Sequence, residues 1–141
     1  MHAIKSLVCL KEEGLYCPEG DFYIDPWKRV EKALITHGHS DHARPNMGAY
    51  LTSSSGVPVV RERVGHSASI ESLDFGKSIK IKGVQVSFHP AGHLLGSSQI
   101  RIEHKGFVCV VGGDYKLEVD RSCEAFECVP CDQFITESTF A

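Results

Sequence analysis

No apolar run among the 141 residues approaches the roughly 18 needed for a helix to cross a bilayer, so no membrane span is expected. Tryptophan occurs once and methionine twice, and no linker, internal repeat or low-complexity tract breaks the chain. Hydrophobic residues at 42% and charged residues at 23% are ordinary globular values, which excludes a disordered or fibrous protein. Positive charge is not in excess: 15 Lys and Arg against 18 Asp and Glu leave a formal −3, so there is no overall basic footprint. The opening run MHAIKSLVCL is too short and mixed for a secretory leader. The six cysteines are scattered, which suits cytosolic thiols better than a disulfide framework. The expectation is a single cytoplasmic domain. What the chain has in plenty is histidine, eight in all, and their positions decide the reading.

Gly14–Cys17 and Phe22–Ile24 flank the turn chemistry of Pro18-Glu19-Gly20-Asp21 and predict a hairpin. Val30–Thr36 ends as a buried strand, and the segment from Asp41 towards Gly48 is expected to hold a short helix limited by Pro45. Ala49–Ser53 reads as a strand and Pro58–Val64 as a helix stopped by Gly65. Ser78–Lys82, Val84–Phe88, Gln99–Glu103 and Phe107–Val111 read as further strands, with Phe134–Thr136 the last. Strands dominate, so the class is a layered α/β domain with a largely antiparallel or mixed sheet.

Thr36-His37-Gly38-His39-Ser40-Asp41-His42 places four potential ligands directly after a buried strand. In extended backbone His37 and His39 point to one side, so two imidazoles can share one metal. A turn beyond them would carry Asp41 and His42 to a second. Two further strands also end in candidate ligands: Val84–Phe88 runs into His89-Pro90-Ala91-Gly92-His93, and Phe107–Val111 into Gly112-Gly113-Asp114. His93 is the ligand candidate, whereas His89 reads as a core or hydrogen-bonded histidine. Asp114 can bridge two cations. One site is then His37, His39, His93 and Asp114, and the other Asp41, His42 and Asp114. These donors suit zinc, with manganese or iron as alternatives. Two such ions acidify a shared water and stabilise charge on attacking and leaving oxygens, which points to hydrolysis. Their charge outweighs the formal −3, so a polyanionic substrate is not excluded.

In order and spacing, His37-x-His39-x-Asp41-His42, His93 and Asp114 resemble the metallo-β-lactamase superfamily, and Asp25 resembles its first-motif aspartate. The resemblance implies an α/β fold, a metallo-β-lactamase-like αββα sandwich with a dinuclear site on one edge. It gives Asp25 the task of orienting the cluster by hydrogen bonds. Ala91-Gly92-His93-Leu94-Leu95-Gly96-Ser97-Ser98, Gly113-Asp114-Tyr115 and Thr136-Glu137-Ser138-Thr139-Phe140 resemble the β-CASP nucleases. There the acidic residue of the last motif supports a catalytic histidine further along, which makes Glu137 that residue. His42-Ala43-Arg44-Pro45, Asp114-Tyr115-Lys116 and the approach from Cys131 to Glu137 resemble the bacterial ligase-associated DNA exonucleases.

That group implies a metal-dependent nucleic-acid phosphodiesterase, a DNA exonuclease of repair using a dinuclear-metal-activated water held by Asp41 and Asp114. DNA is favoured over RNA, and an ATP-dependent DNA ligase and a DEXH-box helicase are the implied partners. β-CASP enzymes continue into a cap domain and two later histidines. Because the chain stops at Ala141, residues 1–141 are expected to be the N-terminal part of such an enzyme, inactive or only weakly metallated on their own. Three other readings remain: an RNA-processing β-CASP nuclease, a small-molecule hydrolase cleaving a thioester or lactone, and a metal-binding domain without catalysis. Cys123, Cys128 and Cys131 could form a zinc knuckle, but reduced loop thiols are expected. Lys77, Lys80, Lys82, Arg101 and Lys105 are expected to be a solvated sheet face.

Overall fold

The computed structural model describes residues 6–93, 95–113 and 123–136. The elements run β1 (Cys9–Lys11), β2 (Gly14–Cys17), β3 (Phe22–Ile24), β4 (Lys32–Leu34), β5 (Ala49–Ser53), α1 (Val57–Val64) and β6 (Ile70–Leu73). They continue with β7 (Ser78–Ile81), β8 (Val84–Pro90), β9 (Ser98–His104), β10 (Phe107–Val111) and β11 (Gln133–Ile135). Six strands form one sheet in the order β1-β2-β3-β4-β5-β6, and five form a second in the order β11-β10-β9-β8-β7. In the first sheet β3, β4, β5 and β6 are parallel neighbours, so the ends of β3 and β4 emerge side by side. The second is antiparallel apart from the β10–β11 pair.

Period-2 alternation sorts the side chains between two cores. Phe22, Ile24, Leu34 and Leu51 point from the first sheet towards Val84, Val86, Phe88, Ile100, Ile102, Cys109 and Val111 of the second, forming the interior of the sandwich. Ala33, Ile35 and Tyr50, one step out of phase, face the opposite way and pack under Val60 and Val64 of α1. Fully burying a side chain such as Phe22 or Phe88 contributes about 1.5–3 kcal/mol each. Lys82-Gly83 and Lys105-Gly106 both adopt paired positive φ, the geometry of a two-residue turn whose twist matches its strands, and they close the β7–β8 and β9–β10 hairpins. Across the far side of the second sheet runs the 123–132 segment. Glu127 N–H donates to the Pro90 carbonyl, Gln99 Nε2 to the Glu127 carbonyl and Asp132 N–H to the Val108 carbonyl.

The architecture is that of the expected sandwich: two sheets face to face, with a helical layer on the first. The hairpin around Pro18–Asp21, the helix ending at Gly65 and the strands read at Ala49–Ser53 and from Ser78 onward match the sequence expectation, whereas β6 lies where no strand was read. The expected helix between Asp41 and Gly48 is absent. Turns and bends occupy that stretch, because Pro45 and the positive φ of Asn46 at 73° stop helix growth after a single turn. No helix among the described residues is long and apolar enough to cross a membrane.

Candidate metal centre

Asp25 leaves β3 where Thr36 lies just beyond β4, and parallel pairing sets the two together. Asp25 adopts φ of 47°, a left-handed conformation that costs a non-glycine residue about 1–2 kcal/mol. In return its buried carboxylate accepts from the Thr36 N–H at 2.8 Å, the Thr36 hydroxyl at 2.5 Å and His42 Nδ1 at 2.7 Å. An ionised carboxylate only accepts, so the Thr36 hydroxyl gives its one hydrogen to Asp25. That hydroxyl must then accept from His37 Nδ1, 3.1 Å away. Both His37 and His42 therefore carry their proton on Nδ1 and turn the Nε2 lone pair towards the site. Thr36 is the residue sequence reasoning missed. Its only signal is a small hydroxyl residue at a strand end, one place before the first histidine.

Beyond Thr36 the chain folds back on itself: the N–H groups of His42 and Ala43 both donate to the His39 carbonyl at 2.9 Å. Gly38 backs directly onto α1, where an added Cβ would come within 2.3 Å of Val59 Cγ1. Gly38→Ala should thus destabilise the protein by about 1–3 kcal/mol, with Val59→Ala returning part of it in a thermal-melt double-mutant cycle. His93 arrives on the 91–97 loop. Ser97 Oγ accepts its N–H at 3.0 Å, and Ser98 N–H ties the loop to the Thr36 carbonyl at 2.7 Å.

These supports converge the ligand atoms of His37, His39 and His93 to within 4.8 Å of one another. The three rings stand edge-on, with centroids 4.8 to 5.1 Å apart. Burial, reinforced by His42, His39 and His93, pulls His37 down to about 2, so its imidazole stays neutral and able to ligate at any ordinary pH. Three converging imidazoles, one held neutral in a fixed tautomer, are a donor set for a zinc-like divalent ion. Beside them the His42 ring centroid lies 4.0 Å from that of His37, and Asp41 Oδ2 lies 3.7 Å from His42 Nε2. Asp41 and His42 thus stand as a second group of donors next to the triad.

Comparison with solved structures gives the fold. Over 73% of this chain and 56% of the other, it matches a motif mutant of a Cronobacter sakazakii metallo-β-lactamase with a TM-score of 0.57 at 11% identity. It matches the Rm3 metallo-β-lactamase over 75% of this chain and 56% of that one, with a TM-score of 0.54 at 18% identity. By sequence it is 30% identical to a "Probable DNA ligase" of Opitutus terrae across 90% of this chain. It is also 30% identical to an endoribonuclease YSH1 of Gibberella zeae across 84%. The chain has the metallo-β-lactamase fold. Its similarity to the YSH1 endoribonucleases matches the β-CASP resemblance of its motifs. The chain spans 13% of the Opitutus protein and 14% of the Gibberella protein. No protein-family profile matches it.

Of the metallo-β-lactamase residues sought in the sequence, His37, His39 and His93 meet as one triad, with Asp25, Asp41 and His42 around it. Asp114 and Glu137 lie outside the described residues. His89 is away from the centre: its Nε2 meets Ser87 Oγ at 2.8 Å and its Nδ1 meets Glu127 Oε1 at 3.1 Å, on the outer face of the second sheet. Among the described residues the histidine triad is the one cluster of metal-ligand type, and Cys123, Cys128 and Cys131 do not gather into a second. Burial pushes the Cys109 thiol up to about 12, which leaves it inert packing. The expected basic face is partly neutralised, since Lys82 pairs with Asp21 at 3.2 Å and Arg101 with Glu103 at 2.9 Å.

Proposed function

We propose that the complete gene product is a metal-dependent nucleic-acid phosphodiesterase, and more finely a DNA exonuclease of repair. The convergence of His37, His39 and His93 supports this reading above all else. These three would hold one divalent ion and Asp41 with His42 a second, with Asp114 shared and zinc the favoured metal. Bound there, the ions supply Lewis acidity towards water and phosphoryl oxygens. Asp25 keeps His42, and through Thr36 also His37, in the ligating tautomer. Glu137 would position a general acid that follows later in the polypeptide. The DNA reading rests on the motif resemblance and on the relative named as a DNA ligase, which aligns along 90% of this chain. An ATP-dependent DNA ligase and a DEXH-box helicase are the partners it implies. RNA is the second reading, favoured by the endoribonuclease relatives at 30 to 37% identity.

The test is the complete gene product with zinc or manganese and end-labelled single- and double-stranded DNA and RNA. Stepwise loss of nucleotides from one DNA end supports the exonuclease. Internal cuts in RNA would move the assignment to RNA processing, and cleavage of thioesters or lactones alone would overturn the nuclease reading. Chelation should abolish turnover, and adding back the metal should restore it.

A further inference from the structure

The first helix of the fold borders the metal loop. Gly38, between His37 and His39, packs so closely on Val59 of α1 that only glycine fits. One turn along that helix, Arg63 Nε donates to the Gly38 carbonyl at 2.9 Å. Its planar guanidinium is thereby anchored at one nitrogen within a residue of two metal-ligand candidates, while the side chain remains exposed. Three other arginines are engaged differently. Arg29 pairs with Glu31 and Arg101 with Glu103, while Arg61 donates to the carbonyls of Gly65, His66 and Ala68. No carboxylate pairs with Arg63 or Arg44 among the described residues. Pro58, Val59, Glu62 and Arg63 line an open groove of about 400 Å³ on this same face of α1.

We infer that Arg63 is a substrate-positioning residue that binds a backbone phosphate next to the scissile one, with the strand lying along Pro58 and Val59. The inference rests on the nuclease reading above. A guanidinium held by one nitrogen keeps its other N–H donors in a fixed fork, the arrangement that suits a phosphate better than a mobile lysine does. The groove also contains a carboxylate of the wrong sign in Glu62, so the two neighbours must act on a polyanion in opposite directions. A merely structural Arg63 makes no such demand.

The experiment measures binding of a labelled single-stranded oligonucleotide to the complete gene product in chelator, across a salt series, and turnover with metal. Arg63→Gln should weaken binding about tenfold, and should flatten the slope of log affinity against log salt by about 0.7. Glu62→Gln should tighten binding at low salt. With metal, the Arg63→Gln loss should fall mainly on KM, with metal content unchanged and Arg63→Lys recovering part of it. Unchanged affinity and slope in Arg63→Gln, in a wild type that binds and cleaves, would overturn the inference and leave the nuclease reading standing. A wild type that neither binds nor cleaves nucleic acid would overturn both. Loss of metal from Arg63→Gln, with Glu62→Gln indistinguishable from wild type, would reduce Arg63 to a prop for the loop and also overturn the inference.

Discussion

Asp25→Asn should lower metal affinity by about 10–100-fold and turnover at least as much, although Asp25 is not itself placed as a ligand. The reason lies in proton bookkeeping. Asp25 accepts three hydrogen bonds, two from Thr36 and one from His42 Nδ1. Asparagine can accept from the Thr36 N–H, but its amide nitrogen then faces both the Thr36 hydroxyl and His42 Nδ1. His42 is driven to accept there and carries its proton on Nε2, the atom meant for metal. The Thr36 hydroxyl, now receiving a hydrogen bond, is freed to donate to His37 Nδ1, which also moves that ring towards the wrong tautomer. Calorimetric titration of zinc into wild type and variant would measure the loss. Equal affinity would show that Asp25 does not govern the tautomers.

Gly96→Ala should be the most damaging small substitution for the fold. A Cβ there would sit 2.3 Å from Gly56 Cα and 2.4 Å from Gly56 N, which are backbone atoms that cannot swing aside. The residue also has φ of 79°, and its carbonyl accepts from Ser53 Oγ at 2.6 Å. Clash and backbone strain together should cost about 2–5 kcal/mol, a fall in Tm of roughly 10 °C or more. Gly76→Ala is the control. Its φ of 82° is similar, but nothing lies within 4 Å of the added carbon, so only the backbone strain should appear. The consequence reaches the site, because Gly96 ties the His93 loop to the turn that starts α1, and α1 backs the His37–His42 loop.

Much of this was legible in the sequence. A ligand cluster announces itself by residue type and spacing, and the strands that deliver it alternate clearly because one face of each is buried. β1 was not legible: all three of its residues are exposed, so no apolar pattern marks it. β6 hid for a similar reason, with two exposed residues between two half-buried ones. The stretch after Asp41 looked helical because its composition allows helix. Pro45 and the positive φ of Asn46 stop it, and the His42 side chain is held by Asp25, a contact 17 residues distant that no local pattern records. Thr36 is the sharpest case. Its importance comes from a two-bond relay between Asp25 and His37, and such a relay exists only once β3 and β4 lie parallel.

His37, His39 and His93 should together hold a divalent ion. The most direct measurement is metal content after zinc loading and desalting, for wild type, His39→Ala and His93→Ala. Neither histidine is in the packed interior, so both variants should keep their thermal melts while losing at least one ion per chain. Rates should fall by about a thousandfold or more where the complete protein turns over. Full retention of zinc in both folded variants, or no zinc in wild type, would contradict the account.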